Sequence, residues 1–130
     1  MFKLIKILNS GVNVSETVKI KKSASLSIKR GVAITIVDGY ASLTAPTVKP
    51  EYITIADSPT GKSSVMCHPV MDNMLFETTV NAAPTSLTVG SKVTISANSD
   101  CVTATTASGV ATVVELMDAK ASGDKITVKF

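Results

Sequence analysis

The sequence predicts an all-β domain, on three observations. Val, Ile and Thr are abundant, and 7 Gly and 5 Pro fall between short apolar runs, a composition typical of strands joined by turns. No apolar stripe with helical spacing persists for long enough to form a helix. The 130 residues suffice for one domain with an ordinary hydrophobic core that needs no metal or disulfide.

A strand–turn–strand unit occurs twice along the chain. Residues 28–45 and 87–104 share apolar and Thr positions when they are compared at a spacing of 59 residues, and each copy opens with a glycine. Gly39 and Asn98 occupy the turn position of the two copies, and both residue types tolerate positive φ. Two copies are too few for a solenoid. We therefore expect two similar hairpins that close a single barrel or sandwich.

Further segments that alternate or run apolar predict strands separated by turn residues. They cover residues 2–8, 51–55, 64–70, 75–80, 110–116 and 125–130. The first of them carries apolar side chains on both faces, so it needs cover from the parent barrel or from a neighbouring molecule. Residues 12–27 have a weak pattern and predict an extended arm. The predicted division is a strand and arm over residues 1–27 and a β-barrel domain over residues 28–130.

Positive charge is concentrated at the N-terminal end. Residues 1–30 carry seven basic groups against Glu16, a balance of +6, whereas the rest of the chain has a balance of −3. This distribution favours an acidic partner surface, although lysines can equally line an edge strand and protect it from aggregation. Nucleic acid is a poor candidate because no stacking aromatics stand among the lysines. Lys6 interrupts the first apolar run, so we expect neither a signal peptide nor a membrane span.

The sequence contains no recognisable active site, and we expect no catalytic, cofactor-binding or metal-binding residues. Residues 56–63 end in Gly-Lys-Ser like a phosphate-binding loop, but Ala56 replaces the first glycine and a strand, not a helix, is predicted to follow. His68 is the one histidine, and with Cys67 and the distant Cys101 it lacks the closely spaced ligand pairs of zinc sites. The two cysteines are expected to be buried free thiols. The aspartates mostly fall in predicted turns.

Six stretches carry a resemblance to a known family, and their order carries more signal than any one of them. They are Met-Phe-Lys-Leu-Ile-Lys-Ile-Leu-Asn-Ser-Gly at 1–11, Pro-Glu-Tyr-Ile at 50–53, Met-Leu-Phe-Glu-Thr at 74–78, Leu-Thr-Val-Gly-Ser-Lys-Val-Thr at 87–94, Gly-Val-Ala at 109–111 and Gly-Asp-Lys-Ile-Thr-Val-Lys-Phe at 123–130. Together they resemble the head decoration, or cement, proteins of tailed bacteriophages. Residues 12–27 show little that matches that family.

The resemblance implies a small β-barrel or β-tulip-like domain that serves as a structural virion protein. Such a protein binds the outer surface of the capsid and stabilises contacts between capsomers without catalysis. The implied partners are the major capsid protein and the sister subunits of a homotrimer, with no nucleic acid, membrane or small-molecule substrate. An N-terminal arm often makes the capsid contact, which suggests a partner-binding set of Phe2, Lys3, Leu4, Ile5, Lys6 and Ile7. We expect its apolar members to be buried only in the assembly.

Two other functions stay open on the sequence. One is a different virion or cell-surface binding module, such as a fibre or a carbohydrate-binding β domain, for which Tyr40 and Tyr52 are the available aromatic residues. The other is an enzyme, which no constellation of residues supports.

Overall fold

A computed structural model of the chain describes residues 1–8 and 16–130, and over those residues it contains only strands, turns and loops. The predicted all-β class is therefore confirmed. The described residues form ten strands: β1 (Lys3–Ile7), β2 (Val18–Lys21), β3 (Ala33–Val37), β4 (Tyr40–Leu43), β5 (Tyr52–Thr54), β6 (Ser64–Pro69), β7 (Met74–Thr79), β8 (Lys92–Val93), β9 (Ala111–Glu115) and β10 (Lys125–Lys129). The described part of the chain has no helix that is long and apolar enough to cross a membrane.

The strands form two five-stranded antiparallel sheets. The N-half sheet has the order β2-β6-β5-β3-β4, and the C-half sheet has the order β1-β7-β10-β9-β8. Over the described residues neither sheet closes on itself through a backbone ladder, although β2 and β4 lie close to each other. The predicted barrel is not confirmed. The division at residue 27 stays a prediction, and residues 9–15 of the predicted arm lie outside the described residues.

Four strands of each sheet correspond to one another, and the repeat extends well beyond the hairpin that the sequence revealed. Strands β2, β6, β5 and β3 hold the places that β7, β10, β9 and β8 hold in the other sheet. The pairs of β3 with β5 recur 59 residues later as the pairs of β8 with β9. Residues that stand side by side across three neighbouring strands also correspond. Val18, Cys67 and Thr54 in the N-half sheet match Phe76, Val128 and Val113 in the C-half sheet. Among the described residues, β1 has no counterpart in the N-half sheet, and β4 has only the isolated bridges of Val102 as a counterpart in the C-half sheet.

Individual hydrogen bonds recur at the same spacing. The amide of Gly31 donates to the carbonyl of Thr54 at 2.8 Å, and the amide of Gly90 donates to that of Val113 at 2.8 Å. Both glycines adopt positive φ, 75° and 93°, which explains why each copy opens with this residue type. The hydroxyl pair Thr35–Thr44 at 2.9 Å recurs as Thr94–Thr103 at 2.7 Å.

The turns of the two copies differ, contrary to the sequence comparison. In the first copy Asp38 and Gly39 have φ of 50° and 81° and form a two-residue hairpin turn with both residues at positive φ. The second copy has a longer loop, closed by the Ser96 amide donating to the Cys101 carbonyl at 2.8 Å, and Ser99 adopts the positive φ of 58° instead of Asn98. The prediction of matched turn residues is therefore wrong at Asn98.

The buried Ser99 joins the two halves of the molecule. Its hydroxyl donates to the carbonyl of Thr44 at 2.7 Å, and its own carbonyl accepts from the amide of Ala33 at 2.7 Å. Both partners belong to the first copy of the unit. The longer loop of the second copy thus serves as a connection between the halves, because its backbone and hydroxyl find partners at the end of the other sheet.

Two hydrophobic cores lie against the sheets. The smaller core belongs to the N-half sheet and includes Ile28, Ile34, Val65 and Cys67. The larger core is lined mainly by the C-half sheet, and it also takes in Ala33 and Ile53 from the opposite face of the N-half sheet, which packs the two halves together. The three phenylalanines of the sequence, Phe2, Phe76 and Phe130, all lie in the larger core, with the ring centroids of Phe2 and Phe130 5.4 Å apart and those of Phe76 and Phe130 5.7 Å apart.

Candidate interaction surface

Strand β1 lies at the edge of the C-half sheet and pairs antiparallel with β7. Leu4 stands opposite Phe76, and Ile7 stands opposite Met74, so these two side chains point toward the larger core and pack against it. The register shifts between Leu4 and Lys6, which places Ile5 in a β-bulge. The bulge explains how a strand with consecutive apolar residues is accommodated at an edge: one of them is turned outward.

Both ends of β1 are fixed to the rest of the chain. The amide of Phe2 donates to the carbonyl of Gly31 at 2.7 Å, and the amide of Leu8 donates to that of Asn73 at 2.7 Å. The Asn73 side-chain amide returns a bond to the Leu8 carbonyl at 3.1 Å. Met1 lies directly over Gly31, in the space that a side chain at that position would fill.

The predicted partner-binding set separates into a covered and an exposed group. Phe2 is 2% exposed in the single chain, and Leu4 and Ile7 are half-buried against the same core. The expectation that Phe2 is buried only in an assembly is therefore wrong, because its ring packs on Phe130 of its own chain. The exposed group consists of Lys3, Ile5 and Lys6, with Ile5 46% exposed.

The exposed side chains of Lys3, Ile5 and Lys6 form one surface of the edge strand, the β1 outer side. Over the described residues no strand pairs with the free edge of β1. Lys3 stands opposite Glu77, whose carboxylate already forms an ion pair with Lys125 at 3.0 Å. The β1 outer side can offer backbone groups, an apolar side chain and two positive charges to a partner.

An open groove of about 500 Å³ lies near the N-terminal end of β1. Its lining includes Met1 and Leu43, both exposed, together with Ile28, and the two basic residues Lys29 and Arg30. A smaller cavity of about 150 Å³ lies between β1 and the N-half sheet, with His68 in its lining. The Nδ1 atom of His68 is buried there without a hydrogen-bond partner in the described residues.

The Gly-Lys-Ser segment is a loop between β5 and β6, as the sequence predicted. A buried lysine holds this loop: Lys22 is 2% exposed, and its ammonium lies 2.5 Å from the carbonyl oxygen of Lys62 and 3.2 Å from that of Pro59. The same ammonium donates to the carbonyl of Leu26 at 2.7 Å and approaches that of Ser23 at 3.3 Å. The loop therefore directs oxygen acceptors at a cation, whereas a phosphate cradle directs N–H donors at an anion.

The burial of Lys22 also reduces the positive charge that residues 1–30 present at the surface. This lysine belongs to the basic leading segment in the sequence, but its charge is enclosed by carbonyl groups and contributes little to the surface. Its counterpart in the second copy is Val80, fully buried in the larger core. No hydrophobicity pattern distinguishes such a lysine from its exposed neighbours Lys19 and Lys21.

The cysteines and the histidine form no metal centre in the described part of the chain. Both cysteines are free, Cys67 buried and Cys101 half-buried. Burial raises the pKa of the Cys67 thiol to about 11, and burial is also the main cause of the raised pKa of Cys101. Both thiols therefore stay protonated and weakly nucleophilic near neutral pH.

Asp124 illustrates the turn role predicted for the aspartates. Its carboxylate accepts from the amides of Lys120 at 2.8 Å and Ala121 at 2.9 Å, and these backbone bonds lower its pKa. The two tyrosines, in contrast, cannot form one stacking platform. Tyr52 pairs with Ile34 and Tyr40 pairs with Val37, an odd number of residues further along β3, so they lie on opposite faces of the N-half sheet.

A solved structure has a similar overall fold. The chain is similar to the crystal structure of the head fiber gp8.5 N base in bacteriophage phi29, with a TM-score of 0.60 and 16% sequence identity over 88% of this chain and 94% of that chain. At that identity the likeness concerns the fold. No family model matches the sequence, and no curated protein matches it.

Proposed function

We propose that this chain is a structural protein of a bacteriophage virion that binds the outer surface of the capsid without catalysis. The observation that carries the proposal is the fold likeness to a phage head fiber base, over nearly the full length of both chains. The order of the motifs that resemble head decoration proteins supports the same assignment from the sequence. The Cys67 thiol is buried with a raised pKa, and the loop around Lys62 directs carbonyl oxygens at a lysine, so neither of these two features favours the enzyme alternative.

The contact with the capsid is assigned to the β1 outer side. An edge strand gains affinity by pairing its backbone with a partner strand, and Lys3 and Lys6 would favour an acidic surface of the major capsid protein. Ile5 would be covered in the complex. In this proposal the chain acts as a homotrimer that bridges neighbouring capsomers and stabilises their contacts, so many modest contacts on one shell add up.

Substitution of Ile5 by Glu tests this assignment. The side chain is turned outward in the bulge, so the variant is expected to fold normally and to lose the apolar contact with the capsid. Ile5 is 46% exposed, so covering the rest of its side chain contributes about 1 kcal/mol, and its loss corresponds to roughly fivefold weaker binding. Val89→Glu is the matched control, because Val89 is 67% exposed in the loop before β8, on the opposite edge of the sheet.

Binding is measured by co-sedimentation with capsids of the phage that encodes the chain, prepared without this protein. The proposal expects Ile5→Glu to stay in the supernatant and Val89→Glu to sediment like the unmodified chain. Equal sedimentation of both variants would contradict the assignment. Deletion of residues 1–8 is a poorer test, because it would also remove Phe2 from the core.

A second candidate is the base of a head fibre, and the fold of the phi29 head fiber base favours it. The two candidates differ in what the capsid loses without the protein. A decoration protein that bridges capsomers predicts that depleted capsids release DNA at lower temperature or lower osmotic shock. A fibre base predicts depleted capsids of unchanged stability.

A further inference from the structure

The repeat between the two sheets reveals a strand position that is filled in the C-half sheet and that no described residue fills in the N-half sheet. In the C-half sheet, β1 occupies the edge of β7 and pairs with residues 74–77. Beyond that, Val102 contacts the same edge, since its amide donates to the Thr79 carbonyl at 3.1 Å and its carbonyl accepts from the Asn81 amide at 2.9 Å. The edge of β7 is thus shared by two neighbours.

The equivalent edge in the N-half sheet is that of β2. The counterpart of Val102 is Leu43 at the end of β4, and β4 lies close to β2. The counterpart of β1 is missing: in residues 1–8 and 16–130, no strand pairs with the outer edge of β2 beside Thr17, Val18 and Lys19. Among the described residues, no strand meets Thr17, Val18 and Lys19 in the way that β1 meets their counterparts on β7.

The charge at this open position is the reverse of the charge at the filled one. Opposite Lys3 of β1 stands Glu77, and the counterpart of Glu77 in the repeat is Lys19. Lys19 is exposed, and Lys21 is exposed on the same face two residues away. Opposite Leu4 stands Phe76, whose counterpart is the half-buried Val18. A strand beside β2 would therefore need an apolar side chain where Leu4 stands in β1, and a negative charge where Lys3 stands.

We infer that the outer edge of β2 is a docking site for an extended segment of a partner protein in which apolar and acidic residues alternate. The segment would add a strand antiparallel to β2, with an apolar side chain beside Val18 and a carboxylate opposite Lys19. A second copy of β1 is a poor occupant, because Lys3 would face Lys19. This site is distinct from the β1 outer side and does not depend on the capsid proposal.

Two labelled peptides test the inference against the purified chain. One has the sequence of residues 1–8, and the other is the same peptide with Lys3→Glu and Lys6→Glu, so the two share every apolar residue and differ only in charge. Fluorescence anisotropy should show the acidic peptide binding at least tenfold more tightly than the basic one. No binding of the acidic peptide up to about 1 mM, or equal binding of both, would overturn the inference.

Variants of the chain locate the site. Lys19→Glu should weaken the acidic peptide by about tenfold and strengthen the basic peptide, since each pair across the strands changes sign. Lys92→Glu makes the same charge change on the edge strand β8 and should leave both affinities unchanged. Equal effects of the two variants would contradict the inference. So would hydrogen-exchange protection by the acidic peptide at β1 in place of β2, which would instead identify the free edge of β1 as the site.

The test separates this site from the proposed function. Lys19→Glu with weakened peptide binding and intact capsid binding would support the docking site and leave the role of β1 as it stands. Ile5→Glu with lost capsid binding and intact peptide binding would support the converse assignment. Each variant lies on a different strand and in a different sheet, so neither result can stand in for the other.

Discussion

Replacement of Lys22 by Met is the most informative stability test, because this residue breaks the correspondence between the two halves. Met keeps the length and apolar stem of the side chain and removes the ammonium. The change leaves carbonyl oxygens of Leu26, Pro59 and Lys62 without the donor that they share. These oxygens belong to two loops, so the substitution also disconnects residues 23–26 from the loop before β6.

The size of the expected loss of stability follows from the hydrogen-bond distances of the Lys22 ammonium. A hydrogen bond to a charged group contributes about 1.5 kcal/mol or more net, and two of the contacts are short, 2.5 Å to Lys62 and 2.7 Å to Leu26. Their loss costs about 3 kcal/mol, and the two longer contacts add less. For a domain of this size, that loss corresponds to a fall in melting temperature of roughly 10 °C.

Thermal and urea unfolding, followed by circular dichroism, measure the effect. Lys21→Met is the matched control: the neighbouring lysine is exposed on β2, and its substitution should change the free energy of unfolding by less than about 0.5 kcal/mol. The opposite result, unchanged stability, also has a physical reason. A buried charge can be replaced by an apolar residue without loss of stability, and the counterpart position holds the apolar Val80. A Lys22→Met variant as stable as the unmodified chain would therefore refute the reasoning from the carbonyl contacts.

Two further predictions concern the core and the backbone. Cys67 should react with a thiol reagent at pH 8 far more slowly than the half-buried Cys101, and unfolding in urea should remove the difference. Its raised pKa of about 11 also makes the free energy of unfolding depend on pH. The contribution of the buried thiol is fully present below pH 9, near the pKa of an unfolded cysteine, and is lost as the pH rises toward 11. Equal rates in the native chain would contradict the burial. Gly109→Ala should lower the free energy of unfolding by about 3 kcal/mol, because the added methyl group would overlap the backbone of Lys92 and Val93. The methyl group of Gly39→Ala would meet no atom. That variant should cost only about 1 kcal/mol, for the positive φ of 81° at this position. Urea unfolding of the two variants tests this, and the reverse order would contradict the close approach of the chains.

Much of the fold was predictable from local patterns. The spacing of 59 residues predicted the repeat, because Gly31 and Gly90 and the two Thr pairs do the same work in both copies. Alternation also placed strands such as β6, β7 and β10 within a residue of their observed ends. The sequence does not reveal that β2 and β7 are equivalent strands of the two sheets. Their side chains differ, and Lys19 and Glu77, at equivalent positions, carry opposite charges.

The errors at the candidate site have a common physical cause. Phe2 was expected to need a partner, but burial depends on what packs against a strand, and Phe130, far away in sequence, supplies that cover. The sequence assigns Lys22 to the surface charge, because only the convergence of two loops shows that its ammonium is enclosed. The bulge at Ile5, which decides which apolar residue of β1 faces outward, depends on pairing with β7 and leaves no signal in the sequence.

Cryo-electron microscopy of capsids carrying the bound protein tests the central claim most directly. The account predicts density in which the β1 outer side, marked by Ile5, faces the capsid and the β3–β4 hairpin is free of that contact. A complex that meets the capsid through the exposed Val37 and Tyr40 of that hairpin, with Ile5 open to solvent, would contradict it.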